Sequence, residues 1–207
     1  MTEEQQEPPY LLWLDLETTG LDPSRDAILE IAWSLTTFHF PYHDVDTAGA
    51  RAARVIPYHG TSGEPFALDD YRARLSPFIL DMHTKSGLIS ALASEKPCRR
   101  LHNVEDELLA LSNGWPSNRE ARVPLAGNSV HFDLSFLRAQ LPTFAARLSH
   151  RTFDVSNVIM VAQSLGMPPL PRCGAHRAEA DLANCRSQLD TCLRYLAKSD
   201  LLVGSSP

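Results

Sequence analysis

The alternation of apolar and polar positions along the chain predicts strands first and helices later. Three successive strands are predicted at Tyr10–Leu16, Ala27–Phe38 and Arg51–Tyr58, which are short runs rich in apolar, β-branched and aromatic residues. Two further short runs, Val123–Ala126 and Thr152–Val155, predict a fourth and a fifth strand. Because the first three strands follow one another along the chain, we expect them to form an antiparallel meander.

Helical spacing of apolar residues dominates the rest of the chain. It predicts helices that begin near Leu68, Val104, Phe132, Asn157 and His176. The last of these runs to about residue 197 with one continuous apolar stripe, in which two cysteines are expected to pack as core residues. The order of elements therefore predicts an α/β fold, with a mixed five-stranded sheet flanked by helices.

Length and composition limit the number of domains. The chain has 207 residues, of which 43% are hydrophobic and 21% charged, which is typical of one globular domain with short extensions. We therefore expect a single domain over residues 10–198, with a flexible N-terminal tail at 1–9 and a C-terminal tail at 199–207.

The charge balance narrows the choice of partners. The formal net charge is −6, from 19 Lys and Arg against 25 Asp and Glu. A protein that holds long nucleic acid along its backbone needs a basic surface, so this balance favours metal ions and small substrates instead. The sequence has no signal-peptide pattern and no long apolar stretch, and no membrane association is expected. Its 4 cysteines lack zinc-site spacing, which favours a reducing, cytoplasmic location.

Two carboxylates inside an apolar run carry the first chemical signal. Asp15 and Glu17 lie two residues apart, so on a strand both side chains point to the same face. Buried neighbouring carboxylates repel each other, and either one becomes protonated or a cation lies between them. The alternative is a sheet end at which both carboxylates contact water or arginine.

Two more acids and a histidine favour the cation. Asp133 lies at the start of a predicted helix and Asp181 near the start of the last one. Carboxylates from separate segments that meet at one end of a sheet can hold two divalent cations for phosphoryl chemistry. His176 follows a segment rich in proline, which places it on a loop or first turn, where its imidazole is a candidate general base.

Four segments of the sequence resemble a known family. LWLDLETTGLDP (12–23), MHTKSGL (82–88), LAGNSVHFDLSFL (125–137) and HRAEAD (176–181) are similar to the signature segments of oligoribonucleases, in the DEDDh branch of the 3′-to-5′ exonucleases. The resemblance extends from Tyr10 to about Leu196 in the same order. The first segment alone is also similar to polymerase proofreading subunits, and the other three are more specific.

The resemblance implies a ribonuclease H-like fold of the DnaQ type and an exoribonuclease activity. The enzyme would hydrolyse short oligoribonucleotides, down to dinucleotides, from the 3′ end to nucleoside 5′-monophosphates. Two Mg²⁺ or Mn²⁺ ions would bind to Asp15, Glu17, Asp133 and Asp181, and His176 would deprotonate the attacking water. Members of the family are homodimers, so a homodimer is expected here.

The resemblance also implies residues that bind the substrate. Leu21 would wedge against the bases and Phe78 would stack on one of them, although core packing of Phe78 is an alternative. The substrate backbone or its 5′-terminal phosphate would contact a set of polar residues, namely His83, Ser129, Arg151 and Ser156. Helix capping is the alternative role for both serines.

The sequence departs from the family pattern in three places. His150 stands where the family usually has a tyrosine that caps the substrate phosphate across the dimer interface. Phe78 stands where tryptophan is common, and the segment His39–His59 matches no family motif. These departures leave the strict preference for dinucleotides open.

Two other functions remain open on the sequence alone. A proofreading or DNA-trimming 3′-to-5′ exodeoxyribonuclease would share every catalytic residue and differ in length preference and sugar selectivity, and short DNA is a further candidate substrate. A noncatalytic nucleotide-binding domain is disfavoured, because a binding module has no need for mutually repelling carboxylates.

Overall fold

The computed structural model describes residues 9–45, 49–56, 75–93, 98–118, 121–171 and 174–198. The strands are β1 Tyr10–Thr18, β2 Ile28–Thr37, β3 Arg51–Ile56, β4 Arg99–Arg100, β5 Leu125–Gly127 and β6 Thr152–Asp154. The helices are α1 Pro77–Lys85, α2 Leu88–Leu92, α3 Leu101–Leu111, α4 His131–Gln140, α5 Pro142–Ala145, α6 Val155–Ser164 and α7 Ala178–Lys198.

The strands form one mixed sheet in the order β4-β3-β2-β1-β5-β6. β1, β2 and β3 pair antiparallel, which confirms the predicted meander. β5 and β6 continue the sheet in parallel on the other side of β1. The prediction of five strands is corrected to six, because Arg99–Arg100 pairs in parallel with β3. Two residues are too few to leave a strand pattern in the sequence.

Strand β1 lies in the middle of the sheet and contributes to the two largest hydrophobic clusters. Leu12, Leu14 and Leu16 pack on one face with residues of α3 and α4. Leu11 and Trp13 pack on the opposite face with residues of α6 and α7. Because side chains alternate along a strand, the two acids that follow on β1 continue the face that is covered by α7.

Helix α7 confirms the predicted apolar stripe. The buried residues of this helix recur every three or four positions: Ala178, Leu182, Cys185, Leu189 and Cys192. The helix begins two residues later than His176, whose φ of 50° is left-handed and lies outside helical geometry. Both cysteines are core residues, as predicted.

Some predictions fall outside the described part of the chain. The first part of the helix predicted from Leu68 lies within residues 57–74, which are not among the described residues, and α1 begins at Pro77 after Ser76 as N-cap. Residues 1–8 and 199–207 also lie outside the described ranges. Within those ranges, none of the helices has the length and apolar character needed to cross a membrane.

Candidate active site

The end of β1 places two acids against the neighbouring strand and helix. Glu17 is 7% exposed and pairs in register with Glu30 of β2. Asp15 precedes it on the same face and is partly buried. The strand geometry thus brings the predicted pair of carboxylates to one place, as the sequence spacing indicates.

Helices α4 and α7 bring the other two predicted acids to this end of the sheet. Asp133, in the first turn of α4, is 4% exposed, and its carboxylate accepts a hydrogen bond from the backbone of Leu16. Asp181, in the first turn of α7, accepts hydrogen bonds from the backbone N–H groups of Ala175 at 2.9 Å and Arg177 at 3.3 Å. Asp181 therefore also orders the chain on both sides of residue 176.

The acids share one electrostatic environment. Burial raises the pKa of Asp15 to about 7, and the charges of Asp181 and Glu30 add to the rise. Burial, followed by the charges of Asp15 and Asp181, raises the pKa of Glu17 to about 8. Burial and the charge of Asp15 hold the pKa of Asp133 well above its usual range. These carboxylates favour protonation unless a cation balances them.

His176 completes the group. A nitrogen of His176 and carboxylate oxygens of Glu17 and Asp181 lie within 4.8 Å of one another. His176 is exposed on the loop before α7, as the sequence predicts. An oxygen-rich set of acids with one imidazole suits hard divalent cations such as Mg²⁺ or Mn²⁺, which would offset the mutual repulsion that contributes to the raised pKa values.

Two apolar side chains are exposed on the elements next to the acids, one in the turn after β1 and one on α1. Leu21 is 80% exposed in the turn after β1, and Phe78 is 76% exposed on α1. Phe78 and His176 line a common cavity of about 320 Å³. The exposure of Phe78 contradicts core packing, which was the alternative interpretation of this residue.

Comparison with known proteins decides the family. The chain is 33% identical over 198 residues to an oligoribonuclease of Corynebacterium diphtheriae, covering 92% of this chain and 84% of that protein. It is 32% identical over 180 residues to an oligoribonuclease of Azoarcus sp., covering 86% of this chain and 89% of that protein. The chain belongs to the oligoribonuclease family. No family model matches it.

A solved structure agrees on the fold of this oligoribonuclease family member. The crystal structure of cell-death related nuclease 4 is similar with a TM-score of 0.57 and 11% identity, covering 92% of this chain and 65% of that chain. At this identity the likeness concerns the fold alone, and it agrees with the α/β, ribonuclease H-like fold expected from the sequence.

A second polar cluster lies at the start of α6, where the oligoribonuclease resemblance predicts substrate contacts. The backbone N–H of Ser129, a residue with φ of 52°, donates to Asp154 Oδ1 and to Ser156 Oγ, both at 3.1 Å. Val130 is the N-cap of α4 and Asp154 is the N-cap of α6, so neither serine has that role. His150 and Arg151 are exposed just before β6. Ser129 and Ser156 therefore share one cluster, next to the exposed pair.

His83 is the predicted substrate residue whose position differs most from expectation. It is 0% exposed, and its Nε2 lies 2.9 Å from the backbone oxygen of Thr18. Its Nδ1 lies 3.7 Å from Glu17 Oε2. Burial lowers the pKa of His83. The ring therefore supports the end of β1 from inside the protein, and its contact with a substrate stays a prediction.

The structure adds two residues that the sequence reasoning missed. Glu30 is 3% exposed on β2, and Arg177 binds its carboxylate at 2.8 Å. A charged residue within the apolar strand AILEIAW is the same kind of signal that marked Asp15 and Glu17, so Glu30 was detectable by that criterion.

Proposed function

We propose that residues 10–198 form a single metal-dependent 3′-to-5′ exoribonuclease domain. Its substrates are short oligoribonucleotides, down to dinucleotides, and its products are nucleoside 5′-monophosphates. The observation that carries this proposal is the group formed by Glu17, Asp181 and His176, beside two further acids with raised pKa values, in a chain of the oligoribonuclease family.

The acids Asp15, Glu17, Asp133 and Asp181 are the residues that would hold the cations. Two bound Mg²⁺ or Mn²⁺ ions would stabilise charge on the attacking and leaving oxygens of the phosphodiester. The burial of these carboxylates supports this assignment, because each of the three with a raised pKa needs a nearby positive charge to stay ionised at neutral pH.

His176 is the proposed general base. Its imidazole is exposed to solvent and lies within 4.8 Å of the carboxylates of Glu17 and Asp181, so it can take a proton from water at the scissile phosphate.

Exposed side chains around the acids form the proposed substrate site. Leu21 and Phe78 would contact bases, since every base offers a face on which an aromatic ring can stack. Ser129, Ser156 and Arg151 would bind the 5′-terminal phosphate, with His150 beside them. A site that binds the 5′-terminal phosphate while the acids bind the scissile phosphate would restrict the enzyme to short substrates.

The proposed assembly follows the family expectation, and the proposed location follows from the cysteines. We propose a homodimer, which is supported by the exposed apolar side chains of Met160 and Val161 on α6 and of Leu165 just after it. Light scattering at micromolar concentration tests it, and a monomer mass would contradict it. The described cysteines Cys98, Cys185 and Cys192 are free, which supports a reducing, cytoplasmic location.

Selectivity for the length and for the sugar of the nucleic acid tests the proposed substrate. RNA and DNA of two and twenty nucleotides are incubated with Mg²⁺, with EDTA, and with the variant Asp133→Ala. We expect RNA dinucleotides to be cleaved at least as fast as twenty-mers, and no cleavage with EDTA or the variant. Faster processive trimming of DNA would replace the proposal with a proofreading-type exodeoxyribonuclease, because the 2′-OH distinguishes the two substrates. No metal-dependent cleavage in any reaction would reject both.

A further inference from the structure

A buried carboxylate outside the four proposed metal ligands is joined to the segment that carries His176. Glu30 Oε1 accepts a hydrogen bond from Arg177 Nη2 at 2.8 Å, and Glu30 Oε2 accepts one from Arg177 Nε at 3.1 Å. Glu30 Oε2 also accepts the backbone N–H of Ala178 at 3.0 Å. One carboxylate on β2 thus binds both the guanidinium and the first turn of α7.

The residue before Arg177 is held in an unfavourable backbone conformation. His176 has a left-handed φ of 50°, which residues other than glycine rarely adopt and which persists only where the surrounding structure imposes it. Asp181 binds the backbone N–H groups of Ala175 and Arg177, on either side of His176. Glu30 adds the side chain of Arg177 to these restraints.

We infer that Glu30 and Arg177 form a clamp that fixes the His176 imidazole beside Glu17 and Asp181. The planar guanidinium binds a carboxylate through two parallel hydrogen bonds, which fixes direction as well as distance. Glu30 also pairs in register with Glu17, so the clamp ties the base to the strand that carries the acids. This inference rests on the proposed function, since it takes His176 as the base.

If Arg177 acted only through its charge, its loss would change the site in a different way from the loss of a clamp. Glu30 lies close enough to Asp15 and Glu17 to disfavour their ionised forms, and Arg177 offsets that effect at Glu17. Loss of Arg177 leaves more negative charge at the site, which would strengthen the binding of a cation. A fall in turnover without weaker metal binding is therefore the mark of a positioning role.

Kinetics of Arg177→Met and Glu30→Gln test the clamp. We expect kcat on an RNA dinucleotide to fall about 10- to 100-fold, the cost of a misplaced catalytic group. KM should stay near its wild-type value, and the Mg²⁺ concentration that gives half-maximal activity should not rise in Arg177→Met. Arg177→Lys should remain well below wild type, because an ammonium group cannot form the two parallel hydrogen bonds. In a His176→Ala background, Arg177→Met should cause no further loss.

Hydrogen exchange of the metal-free protein gives a readout that is independent of activity. In Arg177→Met and Glu30→Gln, the amides of residues 174–178 should exchange faster than in wild type. The matched control is Arg194→Met, which breaks the exposed pair between Arg194 and Asp190 on the same helix. This control should retain wild-type kinetics and wild-type exchange at 174–178.

The outcomes separate the clamp from the proposed function. If the wild-type protein has no metal-dependent exonuclease activity, the proposed function fails, and unchanged exchange at 174–178 in both clamp variants would reject the clamp as well. If the wild type is active, the clamp is wrong when both variants behave like Arg194→Met. It is also wrong when excess Mg²⁺ restores the kcat of the clamp variants. The same holds when Arg177→Met lowers kcat in the His176→Ala background by as large a factor as in wild type. If Arg177→Met does not fold, Glu30→Gln decides, because its side chain keeps the same shape.

Discussion

Buried acids set the energetics of the site at the residue scale. Asp15 and Glu17 have pKa values of about 7 and about 8, well above the ordinary values of 3.8 and 4.5. The folded protein therefore binds more protons than the unfolded chain between about pH 4 and pH 8, and its stability falls as the pH rises through that window. A cation removes this penalty, so metal binding and folding stability are linked.

Thermal unfolding tests this linkage. The metal-free protein should have a lower Tm at pH 8 than at pH 5, and Mg²⁺ or Mn²⁺ at about 100 times its Kd should raise the Tm at pH 8 by about 5–10 °C. Asp133→Asn removes one buried carboxylate, so this variant should have a raised Tm without metal and a much smaller rise with it. An equal metal-induced rise in wild type and Asp133→Asn would contradict the assignment of Asp133.

The proposed base makes a separate prediction. His176→Ala should lower kcat by at least about 100-fold, as is typical of a lost general base. His176 is exposed and is not one of the four acids assigned to the cations. The metal-induced rise in Tm should remain close to that of wild type. Equal loss of turnover and of metal binding would reject the role of His176 as base.

At the scale of elements, the turn between β1 and β2 is built around one carboxylate. Asp26 accepts hydrogen bonds from the backbone N–H of Asp22 at 2.9 Å and from the hydroxyl of Thr19 at 3.2 Å. Gln140 of α4 donates to the backbone oxygen of Asp26 at 2.7 Å. These contacts hold the turn that presents Leu21 to solvent.

Gly20 suits this turn, because a Cβ at this position would overlap the carboxylate of Asp26 and displace it. Gly20→Ala should cost about 2 kcal/mol through the displaced hydrogen bonds, which lowers the Tm by about 4–8 °C. It should also raise KM for dinucleotides. Leu21→Ala is the matched control, which should raise KM and leave the Tm unchanged. A Gly20→Ala protein with wild-type Tm would contradict the role of Asp26 in the turn.

The elements also show which features a sequence pattern can predict. Asp15 and Glu17 were visible because charges interrupt an apolar strand, and the apolar stripe of α7 followed from helical spacing. The register that sets Glu17 opposite Glu30 depends on strand pairing, which a pattern along one segment does not contain. The buried position of His83 depends in the same way on how α1 packs against the end of β1.

For the whole molecule, an α/β sheet with helices on both faces was predictable, since the order of strands and helices along the chain determines the fold class. Part of the excess of acidic residues behind the net charge of −6 lies at the candidate active site. Several of the acids lie together at one end of β1, where bound cations would turn an acidic site into a site for phosphate. The chain has no excess of basic residues to hold a long nucleic acid along its backbone, which agrees with a short substrate.

The most direct test of this account follows a 5′-labelled RNA of five nucleotides over time in the presence of Mg²⁺. A 3′-to-5′ exoribonuclease should give labelled products of four, three, two and finally one nucleotide, and EDTA should inhibit it completely. Labelled mononucleotide as the first product, cleavage within the chain, or cleavage that persists in EDTA would contradict it.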